Sequence, residues 1–195
     1  RLEAFARFGR LQRRTADAAD ELLALGCLDR RPEVLAGQLP ELLADKRALS
    51  RLEPKERRAL RARLPAFLEA CARLADVGPP PALVHGDLHL GNVARLDGRL
   101  VYFDWTDACV AHPFVDLQSL GAEDGAVRDA YLEAWAGTTP PARLAEALEL
   151  ARVVRPLHHA VSYNTIVHAL EPVAKPELDA THEFLRAALD ASRNL

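Results

Sequence analysis

The sequence predicts a mainly α-helical fold that carries one short strand and one small β-hairpin. Three observations predict it. Apolar residues recur at three- and four-residue intervals over most of the chain, the spacing of a single helix face. An apolar run, Pro81-Ala82-Leu83-Val84, ends at His85-Gly86-Asp87, which describes a short buried strand feeding a loop that carries a carboxylate. Two strand-like runs, Val93-Ala94-Arg95-Leu96 and Arg99-Leu100-Val101-Tyr102-Phe103, flank Asp97-Gly98, the dipeptide that best supplies the positive φ angles of a tight hairpin turn.

Taken in order, Leu2, Phe5, Phe8, Leu11, Leu22, Leu23 and Leu25 predict an amphipathic helix from residue 2 to about 25, capped by Gly26. Residues 29–32 read as a connector. Pro32 opens a second helix that runs to about Ala44, and Pro40 breaks or kinks it. Pro54 marks the next start; Leu60, Leu64, Phe67, Leu68, Cys71 and Leu74 keep helical spacing to Asp76, with Pro65 opening a second segment. The Gly78-Pro79-Pro80-Pro81 cluster stops the helix and delivers the chain to the strand. Beyond the hairpin, helical stretches are expected at 115–120, at 126–136, from Pro141 to about Glu171, interrupted or bent near Pro156, and from Glu177 to about Ala191. No repeat period divides the chain. It reads as one domain, residues 1–195, a helical lobe with a small β element at its active edge.

Composition narrows the function classes. With 49% hydrophobic and 27% charged residues the chain has the makings of a packed globular core, so disorder is not expected. A net charge of −3 gives no electrostatic case for nucleic acid or an anionic membrane. No apolar run approaches a bilayer's thickness, and Arg1-Leu2-Glu3-Ala4 is no secretion signal, so a cytoplasmic location is expected. Cys27, Cys71 and Cys109 form no Cys-x-x-Cys pair and read as reduced thiols. The chain has no methionine and begins inside a helical pattern, which leads us to expect a segment of a longer polypeptide.

The chemistry concentrates between Leu83 and Asp104. Asn92 lies just before the first hairpin strand and Asp104 just after the second, so the fold-back should bring a carboxamide oxygen and a carboxylate toward one cation. A two-residue turn pairs Asn92 with Phe103 and sends Asp104 to the other side of the ladder. Either a bulge or longer loop shifts the register by one, or the ladder ends at these positions. Mg²⁺ favours one or two protein oxygens and completes its shell with water and phosphate, which suits Asn92 with Asp104. Asp87 is then a spare carboxylate a loop away, able to accept a proton from a hydroxyl as that oxygen attacks phosphorus.

These residues match a known pattern. The kinase signature H-R-D-L-x-x-x-N followed by D-F-G reads here as His85-Gly86-Asp87-Leu88-His89-Leu90-Gly91-Asn92 and then Asp104-Trp105-Thr106, with the Asp-to-Asn spacing retained. His-Gly-Asp-Leu-His-x-Gly-Asn, a hairpin and Asp-Trp resemble the aminoglycoside phosphotransferase family, also called the phosphotransferase enzyme family, of small-molecule kinases. The resemblance covers residues 80–120. It implies the helical C-terminal lobe of a protein-kinase-like fold, Asp87 as catalytic base, and Asn92 and Asp104 as Mg²⁺ ligands. It also implies His85 as a support of the loop and Asp116, in His112-Pro113-Phe114-Val115-Asp116-Leu117, as its brace. Mg²⁺ and ATP are the implied cofactors, and a small molecule bearing a hydroxyl is the implied acceptor. Such kinases need an upstream β-rich lobe with a glycine-rich loop and a strand lysine. The three lysines here, Lys46, Lys55 and Lys175, stand in helical or loop contexts and no G-x-G-x-x-G occurs, so the nucleotide lobe is expected outside these residues and the fragment alone is expected to be inactive.

Rival readings stand beside this one. Asp87 alone reads as a loop cap, Asn92 as turn chemistry beside Gly91, and Asp104 as a helix N-cap. His89, Trp105 and Asp107 are candidates to line the acceptor site, while Trp105 also reads as the hydrophobic anchor of its loop. Asp87-Leu88-His89 resembles the Asp-x-His opening of dinuclear metallophosphatases, a hydrolase alternative that needs further metal-ligand clusters. A non-catalytic kinase-like scaffold or binding module is the alternative from another class.

Overall fold

The computed structural model describes residues 1–121, 124–170 and 179–194. In chain order its elements are α1 (Leu2–Thr15), α2 (Ala19–Ala24), β1 (Leu28–Arg30), α3 (Pro32–Ala44), α4 (Pro54–Asp76), β2 (Ala82–Val84), β3 (Val93–Leu96), β4 (Arg99–Tyr102), β5 (Cys109–Ala111), α5 (Gly125–Leu132), α6 (Pro141–Leu170) and α7 (Thr181–Ala191). Short 3₁₀ turns add Ala16–Ala18, Leu90–Asn92, Pro113–Ser119, Glu133–Trp135 and Ser192–Asn194. The fold is mainly α, as the helical spacing requires. Among the described residues no helix is long and apolar enough to cross a membrane.

Contacts group the chain into two compact units, Arg1–Arg31 with Val77–Leu148, and Pro32–Asp76 with Glu149–Leu195, a division that composition alone does not mark. In the second unit α3 packs on α4, and Leu35, Leu39 and Leu42 of the one and Leu60, Phe67 and Leu74 of the other are nearly inaccessible. Pro65 was expected to open a second segment, yet α4 runs through it; Pro40 lies inside α3 and Pro156 inside α6, so neither breaks its helix. A proline deletes one backbone hydrogen bond per helix, and burial of the flanking apolar face offsets that loss. The expected helix start at Glu177 and end at Glu171 lie outside the described residues.

The first unit carries the β structure. Its sheet has the order β1-β5-β2, with β1 parallel to β5 and β2 antiparallel to it. Two of these strands correct the sequence reading. Residues 29–32 were expected to be a connector, yet Leu28–Arg30 pairs with Cys109–Ala111, and β5 itself was not foreseen. Each has three residues, too few for alternation to register, and Asp29 and Arg30 disguise the first. The helix expected from 2 to 25 is also divided. Thr15 ends α1 because its hydroxyl donates to the carbonyl of Gln12 (2.9 Å) and accepts from the N–H of Leu83 (3.2 Å), fastening the helix end to β2.

Register in the sheet places the loops. Val84 is paired with Cys109, so the residues after β2 and those before β5 leave the same end of the sheet. The loop from His85 to Asn92 and the segment from Phe103 to Ala108 are therefore neighbours.

Candidate active site

The hairpin settles its own register. Leu96 pairs with Arg99 across Asp97 (φ +47°) and Gly98 (φ +75°), the double positive φ of a type I′ turn. Val93 is paired with Tyr102, and the N–H of Phe103 donates to the carbonyl of Asn92 at 3.1 Å. Here the ladder stops. Asp104 adopts φ +63°, a left-handed kink that swings the chain out of the strand direction, and its carboxylate is exposed. Of the alternatives open in the sequence, the structure takes the ended ladder.

Asp87 sits exposed on the neighbouring loop, and Asn92 is buried behind it. The Asn92 carboxamide donates through Nδ2 to the Asp87 carbonyl (3.0 Å) and to Asp87 Oδ2 (3.3 Å), which turns Oδ1 the other way as a hard oxygen donor. Thr106 donates to Asp104 Oδ1 at 2.9 Å, leaving Oδ2 unengaged among the described residues. Asp107 is held above the ordinary carboxylate range, first by burial and then by the charges of Asp87 and Asp104. Three carboxylates therefore share one field, and a site of that sign attracts a cation. One carboxamide oxygen and one carboxylate fit Mg²⁺, which takes few protein ligands and keeps positions for phosphate oxygens. Among the described residues no three His, Cys, Asp or Glu side chains form a ready-made metal cluster.

The loop is held from both sides. His85, fully buried, accepts from the N–H of Asp87 at Nδ1 (3.4 Å) and donates from Nε2 to the carbonyl of Phe103 (2.9 Å). One imidazole thus joins the residue that carries the loop carboxylate to the residue before Asp104. Gly86 has φ +86°, and a Cβ there would lie 2.4 Å from the Asp107 carbonyl oxygen, so only glycine lets these two segments meet. Behind them, Asp116 accepts from the N–H of His85 and of Gly86, both at 2.9 Å, on its two oxygens. Burial pushes the Asp116 carboxyl up to about 7, and those backbone donors pull the other way. Ser119 adds a clamp from the same 3₁₀ turn, its hydroxyl donating to the carbonyl of Leu88 at 2.7 Å.

The remaining candidates separate. His89 accepts from the Gly91 N–H at Nδ1 (2.9 Å), so its ring proton sits on Nε2, 3.4 Å from Asp87 Oδ2. Neither nitrogen then offers a lone pair to a metal, which counts against the metallophosphatase alternative. Trp105 lies against His85 (ring centroids 4.7 Å apart) and Phe8, with its indole N–H donating to the Tyr102 carbonyl (2.9 Å), an anchor for the loop. Sequence reasoning missed Gln12, which lies fully buried on α1 and donates to Asp116 Oδ2 at 2.8 Å. A single glutamine on a helix of apolar period was its only signal. His158 and His159 occupy the interior of the second unit, their rings 80° apart.

No curated protein matches the chain. The model of the phosphotransferase enzyme family matches residues 2–147, which takes in every site residue described above. On that match, covering most of its length, the chain belongs to the phosphotransferase enzyme family.

Proposed function

We propose that the protein transfers the γ-phosphoryl group of ATP to a hydroxyl of a small molecule, with Mg²⁺ as cofactor. The observation that carries the reading is the pairing of an exposed Asp87 with a carboxamide whose Nδ2 is spent on that same residue, beside the kinked, exposed Asp104. Asp87 orients the acceptor hydroxyl and takes its proton as the oxygen attacks the γ-phosphorus. The bond from the γ-phosphorus to the bridging oxygen breaks, and ADP leaves. Asn92 and Asp104 would hold Mg²⁺, which neutralises phosphate charge when bound. Buried His85 and Asp116 keep the Asp87 loop in position. Val101 on β4 and Phe103 just after it, each about two-fifths exposed, offer an apolar surface beside Asp104 on which a purine base can lie.

The test has two arms, both on the complete protein. ADP release from Mg²⁺ and ATP is followed against a panel of hydroxyl compounds: amino sugars, macrolides, choline-like alcohols and simple sugars. We expect release that depends on one of these classes. Calorimetry of ATP binding with and without Mg²⁺ is compared between the wild type and Asp104→Ala, and the variant should lose the Mg²⁺ enhancement. An unchanged Mg²⁺ titration in Asp104→Ala would remove the metal assignment, and hydrolysis indifferent to every acceptor would point to a phosphatase.

A further inference from the structure

Asp116 grips the backbone of the catalytic loop, and something must grip Asp116. Three N–H donors converge on its carboxyl, from His85, Gly86 and the Gln12 side chain. None of the three offers an acceptor to an acid proton, so these contacts favour the ionised form. The group is nevertheless buried in an apolar setting that opposes charge, and Asp87 nearby opposes it further. Gln12 is the only one of the three donors supplied by a side chain, and its amide can rotate to present either Nε2 or Oε1. What fixes the rotation is Tyr131 on α5, whose buried hydroxyl donates to Gln12 Oε1 and lies 3.0 Å from the Pro113 carbonyl. Gly9, one helical turn before Gln12, allows α5 this close: a Cβ there would stand 2.8 Å from the Tyr131 carbonyl oxygen.

We propose that Gln12 and Tyr131 are positioning residues for phosphoryl transfer: the Tyr131 hydroxyl sets the Gln12 amide, and Gln12 Nε2 holds Asp116 ionised in its grip on the loop behind Asp87. The proposal rests on the assignment of Asp87 as base, since it acts through that loop. It also makes the neutral-pH limb of activity a property of Asp116. Besides the His85 backbone N–H just after β2, the titratable groups that face Asp116 are the Cys109 thiol on β5, which burial pushes far up, the Tyr131 phenol on α5, which burial also raises, and the Asp87 carboxylate on the loop. Burial pushes the Asp116 carboxyl up to about 7.

The experiment compares wild type, Gln12→Leu and Tyr131→Phe in the complete protein, reading kcat and KM for ATP against pH together with infrared difference spectra of a pH titration. The carboxylic acid band that disappears in Asp116→Asn reports Asp116 directly. Loss of a hydrogen bond to an ionised group should move the midpoint of that band, and the acid limb of kcat, toward alkaline pH by about one unit in Gln12→Leu. Tyr131→Phe, which keeps the core volume, should move both in the same direction by less, with KM for ATP unchanged. A uniform fall in kcat at every pH with both midpoints fixed would overturn the proposal and leave Gln12 an ordinary core contact. If the band midpoint moves while the kcat limb does not, the grip on Asp116 stands and its link to the Asp87 reading fails.

Discussion

At position 86 a side chain has nowhere to go. The backbone is in the left-handed region and the Asp107 carbonyl stands where a methyl group would be, so Gly86→Ala meets both conformational strain and a backbone clash. We expect that substitution to cost roughly 2 kcal/mol or more, read as a lowered midpoint in thermal unfolding, and to depress phosphoryl transfer beyond what the lost stability explains. Asp107 offers a second test on the same contact. Its folded-state pKa is raised, so its ionisation costs stability, and that cost appears as pH rises through the folded value. Asp107→Asn should therefore raise the unfolding temperature without metal and reduce the further increase that Mg²⁺ gives, as measured by differential scanning fluorimetry across Mg²⁺ concentrations. An identical Mg²⁺ response would separate Asp107 from the cation's field.

The hairpin shows what an element adds to its residues. β3 and β4 are fastened to α1 on one face, where the Tyr102 hydroxyl donates to the Ala4 carbonyl (2.6 Å) and its ring meets Phe8. Gly98 sits at φ +75° with open space around it, so Gly98→Val is a test of conformation alone, with an expected cost of about 1 kcal/mol and a raised KM for ATP as Asp104 loses its fixed position. This turn was readable from Asp97-Gly98 because two residues with positive φ carry a strong local signature. The strand before His85 was readable for a similar reason, an apolar run cut short by glycine. β1 and β5 were not, because three-residue strands with Asp29 and Arg30 among them are specified by what they pair with, not by their own pattern. In the site, Asp87, Asn92 and Asp104 announced themselves by residue type and spacing. The kink at Asp104 and the reach of Gln12 to Asp116, 104 residues along the chain, are tertiary facts with no local trace.

At the scale of the whole molecule, buried titratable groups in the first unit oppose one another. His112 is buried and held neutral, its pKa lowered to about 3 by burial, so between that value and an ordinary imidazole's the unfolded chain binds a proton that the native state refuses. Stability on its account falls as pH drops below about 6.5. Asp116, raised to about 7 by burial, does the reverse: the native state binds a proton that the unfolded chain releases, and stability on its account rises as pH drops from about 7 toward 4. The two nearly cancel over that window. Chemical denaturation between pH 4 and 7 should give a shallow profile in the wild type and a steep acid loss in Asp116→Asn, and a shallow profile in that variant would break the linkage. The reaction itself is tested most directly by Asp87→Asn, which keeps shape and removes the basic oxygen. With an accepted hydroxyl substrate and saturating Mg²⁺ and ATP, single-turnover transfer by the complete protein should fall about 10²- to 10⁴-fold while ATP affinity holds. Transfer surviving near the wild-type rate would contradict the assignment of Asp87 as the base.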